Sequence, residues 1–231
     1  MTVIKQQDFI DSIFEALQFI SYYHPLDFVN AMKLAYDKEQ SPAAKDAIAQ
    51  ILINSRMSAE GHRPLCQDTG IVTCFIKIGM KVQWEGEMTV QEMVDEGTRR
   101  AYNFADNPLR LSILKDPAGK RINTRDNTPS VVHIELVAGD KVDVYVAAKG
   151  GGSENKSKLV MLNPSDSVVD WVVETVSQLG AGWCPPGMLG IGIGGTVEKA
   201  ALMAKESLME DIDIQELIAR GHSTSLPATD L

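Results

Sequence analysis

Apolar residues recur at helical spacing near the start of the chain. Phe9, Ile10, Ile13, Phe14, Leu17 and Ile20 fall on one stripe before "HPLD" interrupts it. The pattern predicts one helix there and a second after the break, with Phe28, Val29, Met32 and Ala35 on one face. A third helix is written in the ends of "SPAAKDAIAQILINSRMSAEG". Ser41 suits the N-cap, Pro42 the first helical position, and Gly61 the residue just past the end. The period then changes. "GIVTCFIKIG" is apolar and β-branched enough for a buried strand. "TVQEMVDEGTRRAYNFAD" returns to helical spacing, and "SVVHIELVAGDKVDVYVAAKGGG" predicts two strands paired through a turn at Gly139 and Asp140. A capped helix over "SDSVVDWVVETVSQLG" ends at Gly180, and "TVEKAALMAKESLMEDIDIQELIARG" adds one or two more. The closing "HSTSLPATDL" reads as an unpacked tail.

Strands and helices interleave without the strict alternation of a doubly wound sheet. The expected fold is therefore mixed α/β (α+β), a single domain of helices packed on a modest mixed β-sheet. Composition agrees: 231 residues, 44% hydrophobic and 23% charged, are enough to bury a sizeable core. A net charge of −9, with no basic block to offset it, argues against nucleic acid as the main partner. No run approaches the roughly 18 apolar residues of a membrane span. The opening "MTVIKQQDFIDSIFEAL" carries acids inside its apolar pattern, unlike a signal peptide. The three cysteines, Cys66, Cys74 and Cys184, have no framework spacing, which predicts reduced thiols in a cytoplasm or similar compartment.

Candidate chemistry concentrates in a few stretches. "KGGGSENKS", Lys149 to Ser157, follows a predicted strand and nearly matches a phosphate-binding P-loop, but Asn155 stands where the second fixed glycine belongs. Any helix after it meets Pro164 within about two turns. A loop that cradles a carboxylate fits better than a nucleotide site or a plain turn. Its glycines admit close backbone approach, while Ser153, Asn155 and Lys156 supply donors. "GIGIGGT", Gly190 to Thr196, contains G-x-G-x-x-G, but the two prolines of "CPPGML" precede it instead of a strand. A glycine-rich strand or turn packed tightly before a helix near Thr196 is the expected reading. Cys74 sits within "IVTCFIKI" as a core thiol. Cys66 in "LCQDTG" and Cys184 in "WCPPG" each open a stiffened loop, either as ligands of a metal or cluster or as ordinary thiols.

Five segments occur in order: "GHRPLCQDTG", "NPLRLSIL", "NTRDNTP", "AKGGGSENKS" and "GAGWCPPGMLGIGIGG". Together they closely resemble the iron–sulfur fumarate hydratases (class I fumarases) and the related tartrate dehydratase α subunits, over residues 5 to 221. The resemblance implies a [4Fe–4S] cluster held by three cysteines, with one iron left for substrate, and it maps two of those cysteines onto Cys66 and Cys184. It assigns substrate contacts to Gln67, Asp68, Arg110, Gly152, Ser153, Asn155 and Lys156. Asp68 would move a proton to or from the substrate hydroxyl, and Arg110 would pin a carboxylate in bidentate fashion. The implied reaction is the reversible hydration of fumarate to L-malate. A tartrate dehydratase, another dicarboxylate hydro-lyase or a non-enzymatic iron–sulfur module are the alternatives.

The chain departs from that family pattern in one respect. The third cluster cysteine, and a second domain bearing further arginines, a lysine and a threonine base, belong to a region this sequence does not contain. Cys74 does not correspond to a family ligand. Residues 1–221 are thus expected to be the cluster-binding domain, with 222–231 as a tail. The 231 residues alone are expected to be inactive, to need a C-terminal domain or β subunit, and to form a homodimer when complete.

Overall fold

A computed structural model describes residues 2–184 and 186–213, together with Glu216 and Ala219. The first strand, β1 (Thr2–Lys5), leads directly into α1 (Gln6–Tyr22). Phe9, Ile10, Ile13 and Leu17 are buried on α1, as the apolar stripe predicts. Pro25 ends the interruption as the N-cap of α2 (Leu26–Lys38). Next comes α3 (Pro42–Gly61), which starts where its sequence says: the Ser41 hydroxyl accepts from the Ala44 N–H, and Pro42 opens the first turn. Its end differs by one residue from expectation. Gly61 is the last helical residue, and His62 takes the left-handed cap (φ 47°). The His62 ring is stacked on Tyr22 at 4.6 Å.

The centre of the molecule is β2 (Ile71–Gly79), with Val72 through Ile76 all buried. After it come β3 (Val82–Glu85), which pairs in parallel with β1, and α4 (Val90–Tyr102). A capping box starts α4: Thr89 accepts from the Glu92 N–H and the Glu92 carboxylate accepts from the Thr89 N–H. A two-stranded ribbon, β4 (Leu114–Lys115) with β5 (Ile122–Asn123), precedes β6 (Val131–Val137) and β7 (Val142–Lys149).

The predicted pairing of these last two strands through Gly139 and Asp140 is wrong. The sheet order is β6-β2-β7, with β2 parallel to β6 and antiparallel to β7. The connecting turn instead arches over the end of β2, where Met80 N–H and Lys81 N–H donate to the Val137 and Gly139 carbonyls. Burial explains the order. β2 is apolar on both faces and suits the centre, whereas β6 and β7 mix exposed and half-buried positions as edge strands do.

Helices α1 and α4 cover one face of this sheet, packing Ile10, Ile13, Met93 and Val94 against Val72, Cys74 and Ile76. They approach closely because Gly97 has no side chain; a Cβ there would lie 2.7 Å from the Ile13 Cβ. Beyond β7 the chain makes a short turn of helix, α5 (Gly151–Glu154), and then α6 (Val168–Gln178), capped by Ser167. A 3-10 turn over Gly180–Trp183 precedes Cys184, and α7 (Val197–Glu206) follows the "GIGIGGT" run. That run is the tight packing expected of it: Cβ atoms on Gly190 and Gly192 would each come within 2.0 Å of a carbonyl oxygen of α7. The architecture is mixed α/β, with helices on a small mixed sheet. The expected tail at 222–231, and most of the final predicted helix, lie outside the described residues. Among the described residues no helix is long and apolar enough to cross a membrane.

Candidate active site

Three loops converge beside the sheet. The first, residues 66–70, runs from α3 into β2. Here the Asp68 N–H donates to the Cys66 Sγ at 3.4 Å, and the Gly70 N–H donates to the Asp68 Oδ1 at 3.2 Å. Cys66 and Gln67 are exposed, with the thiol 3.3 Å from the Gln67 Oε1, while Asp68 is half-buried. Gly70 is required at its position: its φ is +88°, and a Cβ would meet the Ala148 carbonyl carbon at 2.6 Å.

The glycine loop after β7 lies against this carboxylate. The Gly151 N–H donates to the Asp68 Oδ2 at 3.0 Å, and a Cβ on Gly150 would come 3.1 Å from the same oxygen. The carboxylate seated against this loop is the chain's own Asp68, met by a backbone N–H. Each Asp68 oxygen accepts one backbone N–H, which leaves each with a further lone pair. Ser153 turns back onto its own loop, donating to the Gly150 carbonyl, and Asn155 is exposed at the end of α5.

Cys184 arrives from the third loop. A Cβ on Gly182 would come 2.8 Å from the Lys156 Cε, and one on Gly152 would come 3.1 Å from the Gly182 carbonyl. The turn bearing Cys184 is therefore packed on the glycine loop without side-chain separation. Cys184 itself is exposed, in the left-handed region (φ 60°), with its N–H donating to the Ala181 carbonyl.

Arg110 joins through the backbone: the Thr69 hydroxyl donates to its carbonyl at 3.0 Å, and the residue is exposed. Beneath the first loop, the buried Tyr102 hydroxyl donates to the Thr69 carbonyl at 2.6 Å. Burial, aided by the nearby Asp68 charge, pushes this phenol well above its ordinary range, so it stays a donor. Asn127, fully buried, donates to the Gly70 carbonyl and accepts from the Ser112 N–H. Thr69, Tyr102 and Asn127 carried no expected role; Thr69 and Asn127 lie within the "QDTG" and "NTRDNTP" segments, which could have pointed to them, whereas Tyr102 lies in neither.

Two exposed thiols on adjoining loops are the right donor type for an iron–sulfur cluster, and the amide directed at the Cys66 sulfur is the kind of contact that steadies a thiolate. They make two ligands. Among the described residues no group of three or more His, Cys, Asp or Glu side chains is arranged to hold a metal. Cys74 is buried, with its thiol pushed up to about 12 by burial and by Asp95, which keeps it protonated and a poor ligand.

A family model described as fumarate hydratase (Fumerase) matches residues 10–223. The chain is 34% identical over 208 residues to a Methanocaldococcus jannaschii protein named "Putative L(+)-tartrate dehydratase subunit alpha", covering 87% of this chain and 72% of that one. It is 30% identical over 200 residues to the "L(+)-tartrate dehydratase subunit alpha" of Escherichia coli K12, covering 84% of this chain and 64% of that one. The chain thus spans roughly two thirds of the length of these relatives. It belongs to the fumarate hydratase (Fumerase) family.

Proposed function

We propose that this chain carries the cluster-facing half of an iron–sulfur hydro-lyase acting on a small dicarboxylate, with hydration of fumarate to L-malate as the first reading. The observation that supports it is the seating of Asp68. Two backbone N–H groups fix its carboxylate between the loop bearing Cys66 and the glycine loop, with a further lone pair left on each oxygen. A [4Fe–4S] cluster held by Cys66, Cys184 and a thiolate from elsewhere in the assembled protein would supply Lewis acidity toward the substrate hydroxyl. The chain's own residues do the rest. Asp68 gives a proton to, or takes one from, the hydroxyl. Arg110, exposed and in none of the ion pairs among the described residues, grips one carboxylate of the substrate in a two-pronged contact. Gln67, Gly152, Ser153, Asn155 and Lys156 line the remaining approach, with Lys156 adding positive charge. With two of three thiolates, the 231 residues alone are expected to be inactive. A β subunit or C-terminal domain completes the site in the cytoplasm, within a homodimer.

Tartrate dehydration is the second reading, favoured by the names of the two relatives above. The test uses the protein assembled with its second subunit or domain and reconstituted with iron and sulfide. Fumarate, L-malate and L-tartrate are offered in turn. Cys66→Ser and Cys184→Ser should each lose iron and activity, whereas Cys74→Ser should keep both. Asp68→Asn should keep the iron but lose turnover by about 100-fold or more. Activity on L-tartrate alone decides for the second reading, and full activity of Cys66→Ser overturns both.

A further inference from the structure

We infer that Asn127 is the positioning residue that sets the distance between the Asp68 loop and the Arg110 segment, an inference that rests on the hydro-lyase reading of those two groups. Asn127 is 0% exposed and uses both ends of its carboxamide. The Nδ2 donates to the Gly70 carbonyl at 3.2 Å, and the Oδ1 accepts from the Ser112 N–H at 2.8 Å. One planar group thus bridges the residue two places after Asp68 and the residue two places after Arg110. A buried amide with a single partner would cost stability, so burial enforces both bonds together.

The surrounding contacts make the bridge rigid. The Thr69 hydroxyl holds the Arg110 carbonyl, the Asn123 Nδ2 holds the Leu111 carbonyl, and the Thr124 N–H holds the Ile113 carbonyl. Residues 110–113 are therefore gripped one after another by Thr69 and by the "NTRDNTP" segment. Of the three residues from that segment, Asn127 alone also grips the loop of Asp68, adding a buried second link to the direct Thr69–Arg110 bond, while Tyr102 holds the Thr69 carbonyl. The backbone of Asn127 is left-handed (φ 59°), a conformation that asparagine tolerates far better than a branched side chain would. Shape, burial and hydrogen-bond geometry all specify asparagine at this position. A dicarboxylate held at one end by Arg110 and worked on by Asp68 needs the arginine where its far carboxylate falls, so a displaced Arg110 weakens the hold on substrate first.

Two variants test this. Asn127→Gly accepts the left-handed backbone and removes both bonds. Asn127→Asp keeps an acceptor for the Ser112 N–H but turns an oxygen toward the Gly70 carbonyl, and it carries the comparison if the glycine variant does not fold. In the assembled, reconstituted protein Asn127→Gly should raise the KM for the dicarboxylate about tenfold while kcat changes less than about threefold. In an Arg110→Ala background the same change should add less than about twofold, because the arginine it positions is gone. On the full chain without substrate, Asn127→Gly should speed amide exchange at Ser112 at least about tenfold, and Asn127→Asp should leave it protected. The inference is overturned if the KM rises by the same factor with and without Arg110, as mere destabilisation would give, or if Ser112 exchange in folded Asn127→Gly is unchanged. Should Arg110→Ala alone leave KM untouched, the substrate role of Arg110 falls, and Ser112 exchange still decides the bridge.

Discussion

The molecule is unevenly packed, and the candidate site lies on the seam. Up to Lys156 the chain has a dense interior in which Ile10, Ile13, Leu17, Val72, Met93, Val94 and Tyr102 are at most 1% exposed. Beyond it, Leu179 is the sole buried residue among those described. Ten large apolar side chains between Leu159 and Val197 are at least 40% exposed, Met161 reaching 79% and Val169 70%. An apolar surface on that scale is what the proposed partner subunit or domain would cover. Cys66 and Asp68 are borne by the dense part and Cys184 by the open one, with the glycine loop between. The first half of the site is therefore built by the chain's own core, whereas the second is held by a few close contacts at Gly152, Lys156 and Gly182.

The sharpest way to break that comparison is to remove apolar volume from each part. Ile13→Ala should destabilise the chain by about 2–5 kcal/mol, because its side chain fills the space that Gly97 leaves between α1 and α4. Val173→Ala, on a side chain 65% exposed, should change stability by less than about 0.5 kcal/mol. Urea unfolding of the purified chain, read as the shift in midpoint at constant slope, gives both values. Equal losses would mean that the open part is as tightly packed as the core.

How far the sequence could be read follows the same division. The stripe on α1, the cap at Ser41, the capped helix leading to Gly180 and the buried run of β2 were legible because each is a local pattern with a local cause. The order of the sheet was not. A hairpin through Gly139 and Asp140 and a third strand inserted between its arms present the same alternation, and the difference lies in the backbone bonds of Met80 and Lys81. The end of α3 was missed by one residue because His62 takes the conformation usually left to glycine. Cys66, Asp68 and Arg110 could be picked out by their motifs. The mutual placement of those loops depends on Thr69, Tyr102 and Asn127, whose types carry no chemical signature. Their part is fixed by partners between 15 and 57 positions away.

Alkaline pH sharpens the comparison at the next level. Cys74 lies in the dense part, with its thiol pushed from about 9 up to about 12 by burial and by Asp95. A raised value means that the folded state holds the proton more tightly than the unfolded one. Its stabilising effect is complete below pH 9 and is lost as the pH rises from there toward 12, with a slope of about 1.4 kcal/mol per pH unit. Cys74→Ala should flatten that slope between pH 9 and 11. Iodoacetamide at pH 8 should modify Cys66 and Cys184, both exposed, and leave Cys74 until the protein is unfolded. Fast labelling of Cys74 in the native protein would show that the core opens as readily as the outer layer.

The smallest expected effect tests how the open part is held down. The Glu154 carboxylate of α5 pairs with Lys149 at 3.1 Å and with Lys205 of α7, while Lys77 of β2 lies 4.0 Å from Glu206. Burial would raise the Glu154 carboxyl, but Lys205 and Lys149 together draw it below its ordinary value. A lowered carboxyl contributes stability above about pH 4.5 that is lost as the pH falls below it. The side chains of Glu154 and Lys205 are 38% and 24% exposed, so solvent screens the pair and its worth is at most about 1 kcal/mol. Dense packing does not respond to ionic strength, whereas an ion pair does. Glu154→Gln should therefore speed proteolytic cleavage in the 186–206 segment only a few-fold at low salt. Raising the salt to about 1 M should bring the parent protein to the same rate. The Ile13 region should be indifferent to both changes. A parent protein whose 186–206 segment resists protease equally at low and high salt would show that close contacts such as those of Gly190 and Gly192, and not charge, hold α7 in place.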